Sequence, residues 1–249
     1  MNRFVAEFLG TALLVLLGNG VVANVVLAKT KGAAGGWIVI TAGWALAVFT
    51  AVMCVGQFSG AHLNPAVTLG LATAGEFDWE LLPGYLLAQL AGAMVGATLV
   101  YLFYRDHYLA TDNPDAIRAT FCTSPAIRNS ATNLLCEAIG TCVLLIAVLL
   151  AADPTFDLGH SSEQQTVKVG MGSLGALPVG LVVFAIGLSL GGTTGYAINP
   201  ARDLGPRIMH ALLPIPGKQQ SDWSYAWIPI IGPLLGAVVA AALMKTALQ

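Results

Sequence analysis

Two Asn-Pro-Ala triplets, at 64–66 and 199–201, stand inside apolar parts of this 249-residue chain. Asn is a preferred N-cap and Pro is favoured at the first helical position, so each triplet reads as the start of a helix. The side-chain carbonyls of Asn64 and Asn199 can satisfy free backbone N–H groups, which leaves each amide NH2 to donate elsewhere. Pro65, Ala66, Pro200 and Ala201 begin the helices. A helix N-terminus carries roughly half a positive charge, so two such ends facing each other would accept lone pairs and repel cations. The residues ahead of the caps are Gly60, Ala61, His62 and Leu63, then Gly195, Tyr196, Ala197 and Ile198. Running into Asn-Pro favours extended backbone, and their carbonyls can form a row of acceptors. Arg202 follows the second triplet directly, at a depth where a charge is expensive and reads as functional.

The elements that position these groups must lie in lipid. Hydrophobic residues make up 56% of the chain and charged residues 10%, against about 25% charged in soluble domains. Most of the chain has no aqueous surface to cover, which identifies an integral membrane protein. A net charge of −2 gives no basic patch, and nucleic acid is not an expected partner. Cys54, Cys122, Cys136 and Cys142 lack metal-ligand spacing and read as small hydrophobes. No nucleophile–base pair stands out, so neither an enzyme nor a metal or cofactor site is expected.

Apolar segments near 4–27, 36–57, 82–103, 133–152, 174–192 and 226–246 approach the roughly 20 residues that cross a bilayer core. The first continues past Glu7 to about Leu27, which favours a span over a signal peptide. The pieces at 64–74 and 199–212 are too short, since about 11 helical residues cover only ~16 Å. They enter the bilayer without crossing it and must be buried in protein or line a water-filled cavity. The stretch 75–80 reads as a short acidic turn, and 104–132 and 153–173 as longer polar loops.

Landmarks repeat. Ala-Glu-Phe-Leu-Gly-Thr at 6–11 is echoed by Cys-Glu-Ala-Ile-Gly-Thr at 136–141, and the helix-packing glycines Gly92 and Gly96 by Gly232 and Gly236. With the Asn-Pro-Ala triplets, three landmarks keep their order at an offset of roughly 130–140 residues. Each half holds three spans and a short helix, so the second copy lies inverted. The expected fold is an all-α membrane protein of six transmembrane helices and two re-entrant half-helices. It forms one domain over 1–249, with inverted repeats at approximately 1–103 and 133–249. Such repeats put a solute site near the bilayer midplane.

SGAHLNPAVT at 59–68, GYAINPARDLGPR at 195–207 and the repeated Glu-x-x-Gly-Thr resemble the aquaporin, or major intrinsic protein, family over essentially the whole chain. That resemblance implies a homotetramer with one pore per subunit, multi-pass in the cell (plasma) membrane, both termini cytoplasmic. It implies a constriction of Trp44, Gly187, Tyr196 and the selectivity arginine Arg202. It makes His62 pore-facing, and Glu7 and Glu137 buried acceptors for loop N–H groups. Asp203, grouped with them as loop support, Arg207 and the pair Pro229-Ile230 resemble the glycerol-facilitator branch. Gly187 stands where water-selective members carry a histidine, leaving room for a wider solute. Trp44 offers an apolar wall opposite the arginine. Tyr196 departs from the Phe that glycerol facilitators often have.

The expected function is a passive channel for glycerol and similar small neutral solutes, with water, that excludes protons and ions. Urea, dihydroxyacetone and lactic acid are further candidate solutes. The alternatives are a water-selective pore and a coupled transporter. One count opposes the implied orientation under the positive-inside rule. Arg3, Lys168 and Lys245 fall on the cytoplasmic side, against Lys29, Lys31, Arg105, Arg118, Arg128, Arg207 and Lys218 on the other.

Overall fold

The structure, a computed structural model, describes residues 1–152 and 170–247, with the backbone alone of 155–157 and 166–168. Its helices follow the capping chemistry of the sequence. Helix α1, Arg3–Val26, starts at Asn2, whose side chain accepts from the Phe4 N–H at 2.8 Å. Helix α2, Trp37–Ser59, ends at Gly60 in the left-handed conformation, where the absence of a Cβ removes the steric cost. Helix α3, Pro65–Ala74, is capped by Asn64 and stopped by Gly75 at φ 92°. Helix α4, Leu82–Phe103, completes the first half.

The loop expected at 104–132 contains two short helices, α5 (Arg105–Leu109) and α6 (Pro114–Ala119). They bury Tyr108, Ile117 and Phe121 beside α1 and α4, so this stretch is a packed cover and not a solvated connection. The second half holds α7 (Ser130–Leu149), α8 (Leu177–Ser189, led by a 3-10 turn at Gly172–Ala176), α9 (Pro200–Leu212) and α10 (Ile228–Ala247). Within the segment expected as a polar loop at 153–173, Thr155–Asp157 pairs antiparallel with Thr166–Lys168. The rest of 153–169 lies outside the described residues.

Among the described residues six helical segments are long and apolar enough to cross a membrane, α8 together with its 3-10 lead as Gly172–Ser189, and α3 is too short to do so. Side chains such as Ile38, Leu46, Leu87, Leu135, Leu181 and Val239 point outward, as a lipid-facing surface requires. Inside, α1 packs along α4 and α7 along α10. The half-helices cross over: α3 rests on α10 and α9 rests on α4, so each half of the chain holds the re-entrant helix of the other.

Backbones touch where the repeated glycines stand. A Cβ on Gly92 would lie 2.2 Å from the Phe8 carbonyl oxygen, and one on Gly236 would lie 2.1 Å from that of Ala138. Gly96 is equally committed, 2.5 Å from the Ala12 oxygen, while at Gly232 the nearest atom is the Glu137 Cβ at 2.7 Å. Backbone cannot yield as a flexible side chain can, so the glycines set the α1–α4 and α7–α10 separations. Gly92→Ala is therefore expected to destabilise by about 1–3 kcal/mol, read as a lower thermal midpoint in detergent. Gly20→Ala, on the same helix pair but with nothing within 4 Å of its Cβ position, should leave the midpoint level or raise it slightly.

Candidate functional site

The two caps meet. Asn64 Oδ1 accepts from the Ala66 N–H at 2.9 Å, and its Nδ2 donates to the Ile198 carbonyl at 2.8 Å. Asn199 Oδ1 accepts from Ala201 and Arg202 at 3.0 and 3.1 Å, and its Nδ2 donates to the Leu63 carbonyl at 2.8 Å. Each cap thus fastens its own helix and the loop leading to the other one. Because each amide oxygen is committed to its helix, the remaining amide hydrogen is the only polar function the side chain has left to offer.

The loops before the caps depart from the extended path expected for them. Asn64 and Asn199 are extended, at φ −156° and −153°. Gly60, Ala61 and Leu63 have positive φ, as do Gly195, Tyr196 and Ile198, the same pattern in both loops. Non-glycine residues pay about 1–2 kcal/mol for that conformation, so something must hold it. On α1, Glu7 accepts from the N–H groups of His62 (2.9 Å) and Leu63 (2.7 Å), from Ser59 Oγ (2.6 Å) and from Gln89 Nε2 (2.8 Å). On α7, Glu137 accepts from the N–H groups of Ala197 (3.0 Å) and Ile198 (2.8 Å). Both carboxyls are buried. Successive N–H groups converging on an anion form a nest, which alternating backbone hand permits.

A carbonyl points opposite the N–H of its own planar peptide. Since the N–H groups of 62, 63, 197 and 198 face the carboxylates, the carbonyls of Ala61, His62, Tyr196 and Ala197 face away from them. The same repeated motif clears the neighbouring space: a Cβ on Gly10 would meet Leu63 Cδ2 at 2.5 Å, and one on Gly140 would meet Ile198 Cγ2 at 3.1 Å.

A cavity of about 400 Å³ runs past both loops. Of the residues singled out from sequence, Trp44, Gly60, Ala61, His62, Leu63, Asn64, Tyr196, Ala197, Ile198, Asn199 and Arg202 line it. Pro65, Ala66, Pro200, Ala201, Gly187 and Gly195 are not among the lining residues; Glu7, Glu137 and Asp203 stand behind the loops they hold. Much of the remaining wall is an apolar stripe that sequence reading did not find, including Leu14, Val48, Val52, Leu144, Val179 and Val183. His62 borders the cavity with Nδ1 3.2 Å from Thr68 Oγ1 and its ring against Phe77 and Tyr85.

On the cavity wall, Arg202 Cζ lies 4.1 Å from the centroid of the Trp44 ring. The pair is stacked as a cation–π contact, a correction to the expectation that they form opposite walls. Gly18 permits it, since a Cβ there would sit 2.3 Å from the Trp44 ring. Gly187 also acts differently from expectation. A Cβ on it would meet Tyr196 Cζ at 2.9 Å and the Tyr196 hydroxyl at 3.1 Å, so the space it leaves is filled by the phenol. The Tyr196 ring is further fixed edge-on to Trp37, whose Nε1 donates to the Gly187 carbonyl at 2.9 Å.

Behind Arg202, Asp203 accepts from the Thr123 N–H and Oγ1 and from Arg207. Arg207 also donates to the carbonyls of Ser221, Asp222 and Thr123. Other cations of this region are likewise engaged: Arg118 pairs with Asp115, Arg128 with Asp222, and Lys218 Nζ caps the end of α9 through the carbonyls of His210, Ala211 and Leu213. Partial burial penalises the Asp222 charge, but hydrogen bonds from Arg128 and Ser224 outweigh it and hold that carboxyl below the usual carboxylate range. Among the described residues no cluster could hold a metal ion.

The six apolar spans found among the described residues, with two half-helices meeting tip to tip at a cavity, define a channel-type membrane protein. The chain matches the family described as major intrinsic protein over residues 1–244. It is 57% identical over 244 residues to a probable glycerol uptake facilitator protein of Thermotoga maritima, covering 98% of each chain. To a glycerol uptake facilitator protein of Streptococcus pneumoniae it is 52% identical over 240 residues, 96% of this chain and 97% of the relative. The X-ray structure of the aquaglyceroporin from Plasmodium falciparum superposes with a TM-score of 0.83 at 34% identity, over 99% of this chain and 96% of that one. The chain belongs to the major intrinsic protein family, and it is an integral, multi-pass membrane protein.

The carboxylate nests yield a direct test. All four groups at Glu7 are donors, so an amide in its place would turn an NH2 toward an N–H. Glu7→Gln is expected to cost about 3 kcal/mol, the scale of a hydrogen bond to a charged group. The measurement is the thermal midpoint in detergent, and an unshifted midpoint would mean the loop holds itself.

Proposed function

We propose that this protein is a passive channel for glycerol and similar small neutral solutes, with water, and that it excludes protons and ions. The reading rests above all on one observation: the reciprocally bonded Asn64 and Asn199 caps, set in a cavity that is polar along one stripe and apolar elsewhere. Glycerol has hydroxyls along one edge and C–H groups along the other. Arg202, the cap amides and the loop carbonyls suit the first edge, and Trp44 with the Leu and Val stripe suits the second. Helix dipoles and the arginine charge disfavour a cation at the midplane. The names of the facilitator relatives and of the aquaglyceroporin support the choice of glycerol.

In this reading Trp44, Tyr196 and Arg202 form the selectivity filter, with Gly187 shaping it through Tyr196. The chain is one channel domain built of inverted repeats at approximately 1–103 and 133–249, and it assembles as a homotetramer in the plasma membrane. Urea, dihydroxyacetone and lactic acid remain further solutes of the proposal. Both termini are proposed to be cytoplasmic. The engaged side chains of Arg118, Arg128, Arg207 and Lys218 give those cations a structural reason to lie on the other side. Setting them aside leaves Lys29, Lys31 and Arg105 there against Arg3, Lys168 and Lys245, with no bias opposing the orientation. A coupled transporter is disfavoured because no carboxylate is among the described residues lining the cavity, and proton coupling normally uses one.

Reconstituted vesicles carrying a pH gradient should take up glycerol with no change in internal pH, and a fixed proton-to-glycerol stoichiometry would overturn the channel reading. Arg202→Val should retain a folded pore and glycerol flux while proton or cation conductance in bilayers rises. Ion exclusion as complete as the parent's would mean that the helix ends suffice without the arginine charge.

A further inference from the structure

We propose that Gln89 and Thr68 are positioning residues for the His62 ring: they hold the imidazole in its Nδ1–H tautomer, so that Nε2 presents a lone pair to the cavity. The role in transport deepens the channel reading and rests on it, whereas the tautomer stands on hydrogen bonds alone. The chain of bonds starts at Glu7. An ionised carboxylate only accepts, so the Gln89 amide turns Nε2 and not Oε1 toward Glu7 Oε2, at 2.8 Å. The second hydrogen of that NH2 goes to Thr68 Oγ1 at 3.0 Å. Gln89 is fully buried, and both hydrogens of its amide are committed.

A threonine hydroxyl has one hydrogen and two lone pairs, and Thr68 Oγ1 has three neighbours. Gln89 occupies one lone pair. The Asn64 carbonyl, 3.0 Å away at the cap of the same helix, has no hydrogen to give, so it takes the hydroxyl's. What remains is a lone pair, and His62 Nδ1 faces it at 3.2 Å. All three contacts are hydrogen bonds only if Nδ1 carries the proton. The other tautomer would draw the single hydroxyl hydrogen to Nδ1 and leave two acceptor oxygens 3.0 Å apart. The ring is packed against Phe77 and Tyr85 at centroid distances of 4.7 and 4.9 Å, and the Tyr85 hydroxyl is fixed on the Ser59 carbonyl at 2.8 Å. With Nδ1 protonated, the lone pair of the neutral ring is at Nε2. That atom has no hydrogen-bond partner among the described residues and is not sealed off in the interior, and His62 lines the cavity. The acceptor row of the loop carbonyls thus continues onto a side chain. The repeat has Ala197 at the place of His62 and Asp203 at that of Thr68, so the device belongs to the first half alone.

Nitrogen-15 NMR of the histidine-labelled protein in bilayers reads the tautomer, in alkaline buffer where an imidazole is neutral, with His62→Asn assigning the signals. The parent is expected to show a protonated Nδ1 and an unprotonated Nε2. Thr68→Val removes the hydroxyl, while Gln89 keeps its bond to Glu7 and the backbone N–H at 68 keeps the Asn64 carbonyl. The ring should then shift toward the Nε2–H form, and osmotic water permeability of reconstituted vesicles should fall about three-fold, within the size of one net hydrogen bond. Thr68→Ser, which keeps the hydroxyl, should match the parent in both readings. A merely structural role for Thr68 would lower permeability without moving the tautomer. That result, a parent His62 protonated at Nε2, or a switched tautomer with unchanged permeability would each overturn the proposal. A parent that passes neither water nor glycerol would instead overturn the channel reading, and with it the acceptor's role in transport, while the parent spectrum still decides the tautomer.

Discussion

Two buried carboxylates, Glu7 and Glu137, decide how the centre of this molecule is built. Among the described residues neither has a cation paired with it; each is held by N–H and other neutral donors. Burying an unpaired charge is tolerable only when hydrogen bonds replace its hydration. The donors come from loops whose left-handed residues would otherwise relax. The exchange is mutual: the loop satisfies the acid and the acid holds the loop. Turning the N–H groups inward toward the carboxylates turns the carbonyls of Ala61, His62, Tyr196 and Ala197 outward, so a polar stripe on the cavity follows from a charge that never touches it.

The two halves reach this arrangement with different support. Glu7 is backed by Ser59 and Gln89, and Gln89 also reaches Thr68 on α3. In the second half, the weight falls on Asp203, which ties α9 to Thr123, and on the Ala126 N–H, which donates to the Thr193 carbonyl at 2.9 Å. Both solutions end at the same junction, where each Asn amide reaches the carbonyl just before the other cap. Since α3 rests on α10 and α9 on α4, displacing one half-helix strains the spans of both halves.

Much of this architecture was legible in the sequence because it depends on local chemistry. Asn-Pro starts a helix wherever it stands, and segment length separates spans from half-helices. The same rule was available at Asn113-Pro114, where the Asn113 side chain caps α6 through Asp115 and Ala116, although that stretch reads as polar loop on composition. The apolar cavity stripe was hidden for a physical reason. Helices of a soluble protein reveal their inner face by contrast with a polar outer one, whereas here lipid and cavity both take Leu and Val. The pairings Gly18 with Trp44 and Gly187 with Tyr196 were hidden because a glycine's role depends on which distant ring fills its space.

Arg202 and Arg207 show most clearly what residue type alone leaves open. They share α9, five residues apart in an otherwise apolar protein. Arg207 uses all its donors: Nε and Nη2 on Asp203, Nη1 on the Ser221 and Asp222 carbonyls, Nη2 also on the Thr123 carbonyl. Its charge is balanced and its side chain fully buried, so it works as a clamp between α9 and two loops. Because Asp203 is spent on that clamp, Arg202 has no ion pair among the described residues; it keeps only the face of Trp44 beneath it and an unpartnered Nη1. The clamp at Arg207 thereby leaves Arg202 without a direct bond to Asp203, its neighbour in sequence, the condition that the filter role proposed for Arg202 requires.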